Sequence, residues 1–206
     1  MNVKQTEYVV FDVETTGLSP QGGDRIVEIA AVRVKNGKII DTFESLVNPQ
    51  RELPFEAQQI HHITQEMIAG APTADEILPR IIDFTGGACL VGHNIKFDLN
   101  FICFELSLIR RKLGEGTPAI DTLKMAKTLL PHLTSFRLSH VAHSLGAAVE
   151  ETHRALPDAK LTAKVMKRLM DIAADQNINT FKNLHKHFGV TKPNFKIEQL
   201  NHEFAF

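Results

Sequence analysis

Asn36-Gly37 is the feature that most narrows the fold of this chain. The dipeptide separates two runs dense in β-branched and small apolar residues, Arg25 to Lys35 and Lys38 to Val47. A two-residue hairpin loop of this kind needs positive φ at both central positions, which Asn and Gly accept at least cost. The first run alternates Ile26, Glu28, Ala30 and Val32 with Val27, Ile29, Ala31 and Arg33, the period of a strand. Residues Glu7 to Val13 are apolar and β-branched enough for a further, buried strand. The chain is therefore expected to open with a three-stranded antiparallel meander.

Strand–helix alternation follows. Thr73-Ala-Asp-Glu76 has the form of a capping box, and the helix it opens is expected to end near Gly86-Gly87. A short strand is predicted over 88–92, a long helix over 94–111, and a short strand or sheet edge over 118–121. Helices are predicted over 122–130, 138–145 and 157–174. The fold class is α/β, a mixed central sheet flanked by helices. No internal repeat or low-complexity stretch interrupts it. Composition changes only after Ala174, where Asp-Gln-Asn-Ile-Asn-Thr begins a more polar segment. One domain over 1–175 and an extension over 176–206 are expected.

The charge balance, 23 basic against 24 acidic side chains with net charge -1, argues against a passive coat for a polyanion, which carries a basic surplus. Cys89 and Cys103, the only cysteines, stand in Ala-Cys-Leu and Ile-Cys-Phe; buried free thiols are expected, not a disulfide or zinc site. The start has no apolar signal segment, and no apolar run approaches the ~20 residues of a membrane span. A reducing cytoplasm is the expected compartment.

Several acids fall where apolar residues are expected. Asp12 and Glu14 lie at the end of the first strand and, two apart, share a face. Their repulsion grows with desolvation, and a divalent cation between them would relieve it; a frayed strand end with both acids in water is the alternative. Asp98 has Ile95, Phe101 and Ile102 as helical neighbours, beside the apolar stripe; it could instead bind a backbone amide. In His153-Arg-Ala-Leu-Pro-Asp158, Pro157 is tolerated only in a first helical turn. Asp158 then belongs to that turn, and His153 to a loop before it that can swing. An imidazole there is suited to activate a water, although a lone His is usually a surface residue.

Phe11-Asp-Val-Glu-Thr-Thr-Gly17, Gly92-His-Asn-Ile-Lys-Phe-Asp98 and His153-x4-Asp158 together resemble the three motifs of the DEDDh (DnaQ-like) 3′→5′ exonuclease family. The resemblance to the epsilon proofreading subunit of bacterial DNA polymerase III and related exonuclease domains covers about residues 6–172. It implies a ribonuclease H-like exonuclease fold. It also implies two Mg²⁺ or Mn²⁺ ions held by Asp12, Glu14, Asp98 and Asp158, Asp12 bridging them, with His153 as general base. Oxygen-only ligands suit these ions and disfavour zinc. Pro54-Phe-Glu-Ala-Gln-Gln-Ile-His-His-Ile-Thr64 resembles the family segment that approaches the terminal nucleotide, which assigns substrate contacts to Glu56 and His61, with Glu14 and Asp158. Family members often carry Gly where this chain has His62, so the local turn is open to difference. Thr15, Thr16 and Leu18 would form the floor under the last base. The alternative for 54–64 is a connecting helix that only packs. His93 and Asn94 are expected to shape the start of the Asp98 helix, not to bind metal.

The expected substrate is a single-stranded or frayed DNA 3′ end, with a DNA polymerase subunit or a second copy of the chain as partner and no membrane. An exoribonuclease of the same superfamily is the alternative; its short-oligonucleotide branch reads Asp-x-Glu-Met-Thr-Gly, whereas Glu14-Thr-Thr-Gly17 leans toward DNA. An inactive scaffold would have lost an acid, and all four are present. Beyond the resemblance, Phe181, Leu184 and Phe188 fall on one face of a short helix ended by Gly189. Phe195, Ile197, Leu200, Phe204 and Phe206 follow, too apolar for a disordered tail. That surface could pack on the domain's own flank, a second copy or a polymerase subunit.

Overall fold

The computed structural model describes residues 3, 6–114, 116–149 and 153–189. Five strands form one mixed sheet: β1 (Tyr8–Thr15), β2 (Ile26–Lys35), β3 (Lys38–Leu46), β4 (Cys89–Gly92) and β5 (Ala119–Asp121), in the order β3-β2-β1-β4-β5. The first three are antiparallel, and β4 and β5 run parallel to β1. Asn36 and Gly37 take φ of 51° and 71°, the turn the dipeptide demands. The first strand extends two residues past its expected end, because Glu14 pairs with Glu28 and Thr15 with Ile26. Both site acids of β1 therefore sit in paired strand.

Helices α1 (Phe55–His61), α2 (Gln65–Ala69), α3 (Ala74–Thr85) and α4 (Ile95–Leu108) precede β5 or flank β4. After β5 come α5 (Thr122–Leu129), α6 (Leu138–Ser144), α7 (Ala155–Asp175) and α8 (Phe181–Phe188). Strand alternation divides the core between the two sheet faces. Tyr8, Val10, Val32 and Val34 pack with Val165, Leu169 and other residues of α5 to α8. Val9, Phe11, Val13, Ile29 and Ala31 pack with α3 and α4 through Ile77, Ile81, Ile95, Leu99 and Ile102. A small third cluster, Val27, Leu53, Ala57, Ile63 and Ile68, lies beneath α1 and α2.

The capping box forms at Thr73 and Glu76, and Gly86 closes α3 in the left-handed region. His62 closes α1 with φ 59°. The turn that Gly would serve is thus kept here by a residue with a side chain, at some backbone cost. Between the start of β2 and α4, Arg25 forks onto Glu105 with two bonds of 2.6 Å, and the Ile26 amide joins them at 3.4 Å. This pins the start of β2 to α4. Both cysteines are buried free thiols, and burial pushes each up to about 12.

Leu184 and Phe188 of α8 are buried in the core, with Phe181 packed against it. The described part of the C-terminal segment therefore packs on the parent fold. Pro193, Phe195, Ile197, Leu200, Phe204 and Phe206 lie outside the described residues. No described helix is long and apolar enough to cross a membrane.

Candidate active site

Three places in the fold send acids to one end of the sheet. Asp12 and Glu14 project from β1 on the face shared with Tyr8 and Val10, the face that α7 covers. Asp158 sits in the first turn of α7. The carboxylate oxygens of Asp12, Glu14 and Asp158 can all lie within 4.8 Å of one another. Asp98, in the first turn of α4, stands beside this triple. The β1–β4 ladder ends at Val10 and Val91, so the Val13 amide turns to Asp98 Oδ1 at 3.2 Å. Both readings of Asp98 therefore meet in one side chain: one oxygen takes an amide, and the carboxyl faces the cluster.

A cavity of about 560 Å³ opens over these acids. It is lined by Asp12, Val13, Glu14, His93, Asn94, Phe97, Asp98, Arg137, Leu138, Ser139, His153 and Asp158. Without a cation the acids resist ionisation. Burial, then the Asp98, Glu14 and Asp158 charges, raises Asp12 well above the usual carboxylate range. Burial, followed by Asp158 and Glu28, pushes Glu14 up to about 8, with Arg154 opposing. Burial raises Asp98 and Asp158 too, against the backbone amides bonded to each. Four oxygen donors held at this cost fit a hard divalent cation, which neutralises them together and wants oxygen ligands.

His153 stands next to the acids with φ 63°, and its amide donates to Asp158 Oδ2 at 2.8 Å. That bond ties its backbone to the first turn of α7. His93 and Asn94 do shape the start of α4. The His93 ring meets Thr122 Oγ1 at 2.9 Å and donates through Nε2 to the Phe136 carbonyl at 2.8 Å, so both nitrogens are occupied. Asn94 adopts φ 71° and its amide donates to Asp121 Oδ1 at 3.0 Å.

Thr15, Thr16, Leu18, Glu56 and His61 are not in the cavity wall. The Thr15 hydroxyl donates to the Gly17 carbonyl and that of Thr16 to Asp24, which commits both to the turn after β1. A Cβ on Gly17 would come within 2.4 Å of the Asp24 carboxylate, so that turn is built tightly around Asp24. Leu18 stands 84% exposed beyond it. Glu56 is exposed on α1. His61 is buried, accepts the Ile63 amide on Nδ1 at 3.0 Å, and keeps an Nε2 proton without a partner among the described residues. Burial lowers its pKa, so it stays a neutral donor.

Sequence reasoning did not single out Phe97, Arg137 or Ser139 as site residues. Arg137 precedes α6 in a loop with no motif, and only the fold brings it into the wall of the cavity that holds the acids. It also passed over Glu28, an acid among Ile26, Val27, Ile29 and Ala30, where a charge in an apolar strand is itself a signal.

A family profile described as Exonuclease (RNase_T) matches residues 9–166, and so contains every acid of the cluster. The chain belongs to the exonuclease family. Within it the motifs are those of the DEDDh type. Over 183 residues this exonuclease domain is 40% identical to the DNA polymerase III PolC-type protein of Clostridium perfringens, covering 88% of the chain but 12% of that protein. Over 178 residues it is 39% identical to a DNA polymerase III subunit epsilon-like protein of Rhodobacter capsulatus, covering 84% of the chain and 25% of that protein. The chain thus spans a quarter or less of the length of these two relatives. Among solved structures, Exonuclease X in complex with 5′ overhanging duplex DNA superposes with a TM-score of 0.67 at 29% identity. That likeness covers 81% of this chain and 93% of the other.

Proposed function

We propose that the chain removes mononucleotides from the 3′ end of DNA by hydrolysis, at a site holding two Mg²⁺ or Mn²⁺ ions on Asp12, Glu14, Asp98 and Asp158. The observation that carries this reading is the convergence of Asp12, Glu14 and Asp158 within 4.8 Å, with Asp98 alongside and His153 in the same cavity. The ions would compensate charge at the phosphate, ease ionisation of the attacking water and stabilise the leaving oxygen. His153 accepts the proton of the water that attacks phosphorus. The bond from phosphorus to the 3′ oxygen of the penultimate nucleotide breaks, and a nucleoside 5′-monophosphate leaves. The exposed Leu18 and the backbone of Thr15 and Thr16 receive the last base, while Glu56 and His61 approach the terminal nucleotide. Arg137, a cation in the wall of the same cavity, suits the next phosphate.

Relatives that are DNA polymerase III proteins support DNA as substrate and a polymerase as partner, with a second copy of this chain the other candidate. Free thiols at Cys89 and Cys103 fit work in the cytoplasm. Matched single-stranded DNA, mismatched duplex DNA and RNA, each labelled at the 5′ end, test the reading with Mg²⁺ and with chelator. Stepwise one-nucleotide shortening of DNA, fastest at unpaired ends, is expected. Preference for RNA would transfer the chain to the exoribonucleases, and cleavage of closed circles would refute exonucleolytic action.

A further inference from the structure

Among the described residues, Glu28 is a fully buried acid close to the metal-site carboxylates that the protein itself already neutralises. It lies in β2 directly opposite Glu14, at 0% exposure between Val27 and Ile29. Its Oε1 accepts Arg154 Nη2 at 2.6 Å and Nε at 3.1 Å. Its Oε2 accepts Arg154 Nε at 3.2 Å and the Ala155 amide at 2.8 Å. All these bonds land on the two residues that follow His153, 126 or 127 positions along the chain.

An apolar residue at position 28 would satisfy the strand equally well. A buried ion pair is weak evidence for stability, because desolvation offsets its attraction; what it adds is a fixed geometry. Here the geometry is needed. His153 holds φ 63°, a left-handed backbone that costs a residue with a Cβ some energy and relaxes unless its surroundings hold it. Two ties hold it, one on each side: the His153 amide on Asp158 and the planar fork of Arg154 on Glu28. An arginine is suited to this, since its two-point contact with a carboxylate fixes orientation as well as distance.

We infer that Glu28 and Arg154 are positioning residues for His153: the ion pair anchors the peptide after it to the sheet, and so aims the imidazole into the cavity over Asp12 and Asp158. The inference rests on the assignment of His153 as proton acceptor proposed above. It says that the pair acts on turnover through His153 and not through metal binding or the fold at large.

A double-mutant cycle separates these. Glu28→Gln with Arg154→Met removes both charges together, so no lone charge is buried and the net charge beside the metal acids is unchanged. The charge-free pair is expected to lower kcat on single-stranded DNA on the order of 10–100-fold, the effect of a misplaced reacting group, with KM and Mn²⁺ affinity close to wild type. In a His153→Ala background the same pair should cause no further loss, because nothing remains to be aimed. An undiminished loss in that background, or a wild-type kcat for the charge-free pair, overturns the positioning role alone. A wild-type kcat for His153→Ala by itself overturns the proton-acceptor assignment, and the positioning role with it. If the charge-free pair does not fold, Arg154→Lys, which keeps the charge and loses the fork, carries the same cycle with the same expected outcomes.

Discussion

Replacing Glu14 by Gln takes one charge out of a cluster that, without metal, holds its charges at a cost. A glutamate in an unfolded chain ionises near 4.5, whereas at Glu14 burial and then Asp158 and Glu28 push this up to about 8. Between those values the folded chain binds more protons than the unfolded one, so stability falls as pH rises through the window. At pH 7 the gap to 4.5 is about 2.5 pH units, and at roughly 1.4 kcal/mol per unit the cost is about 3 kcal/mol. Gln cannot ionise and escapes it. For a chain of this length each kcal/mol moves Tm by roughly 2–4 °C. In chelator at pH 7, Glu14→Gln should therefore melt about 6–12 °C above wild type. The advantage should shrink toward pH 4.5 and grow toward pH 8. With Mn²⁺ in excess the order should reverse, because binding stabilises the chain that keeps all four acids more than one that has lost a ligand. Calorimetry or a thermal melt by circular dichroism reads all three. A variant that melts at or below wild type in chelator at pH 7, or by a margin flat from pH 5 to 8, would refute the picture of a frustrated acid cluster.

Chelation should abolish nuclease activity and added Mg²⁺ or Mn²⁺ restore it, while Asp12→Ala and Asp98→Ala should each cost several kcal/mol of transition-state stabilisation; near wild-type kcat/KM in either variant counts against the two-metal site. His153→Ala should lower kcat by about 10²–10⁴ with Mn²⁺ binding retained, measured by steady-state kinetics and calorimetric titration. Leu184→Ala should destabilise the fold by about 2–5 kcal/mol in urea melts, because the side chain is 1% exposed within the core, and its effect on kcat should be small.

What could be read in the sequence follows from the range of the interaction that fixes each feature. The hairpin at Asn36-Gly37 and the cap at Thr73 are local, written in residues no more than three apart, and both appear as expected. The pairing of Asp12 with Glu14 on one face is local too, and the structure converts it into a cluster by adding Asp158. The start of α7 was not legible in the same way. Pro157 pointed to a helix from 157, yet the helix begins at Ala155 with Arg154 as its cap and no capping bond from that side chain. The missing acceptor comes from the sheet: Glu28 takes the Ala155 amide, one of the first-turn amides that no carbonyl of the helix itself can reach. A cap donated across 127 positions leaves no mark near the helix it caps. Its only trace lies at the other end, as an acid in a strand that should be apolar. A buried charge unexplained by its own strand is therefore a pointer to a distant partner, and here that partner adjoins the histidine beside the acid cluster.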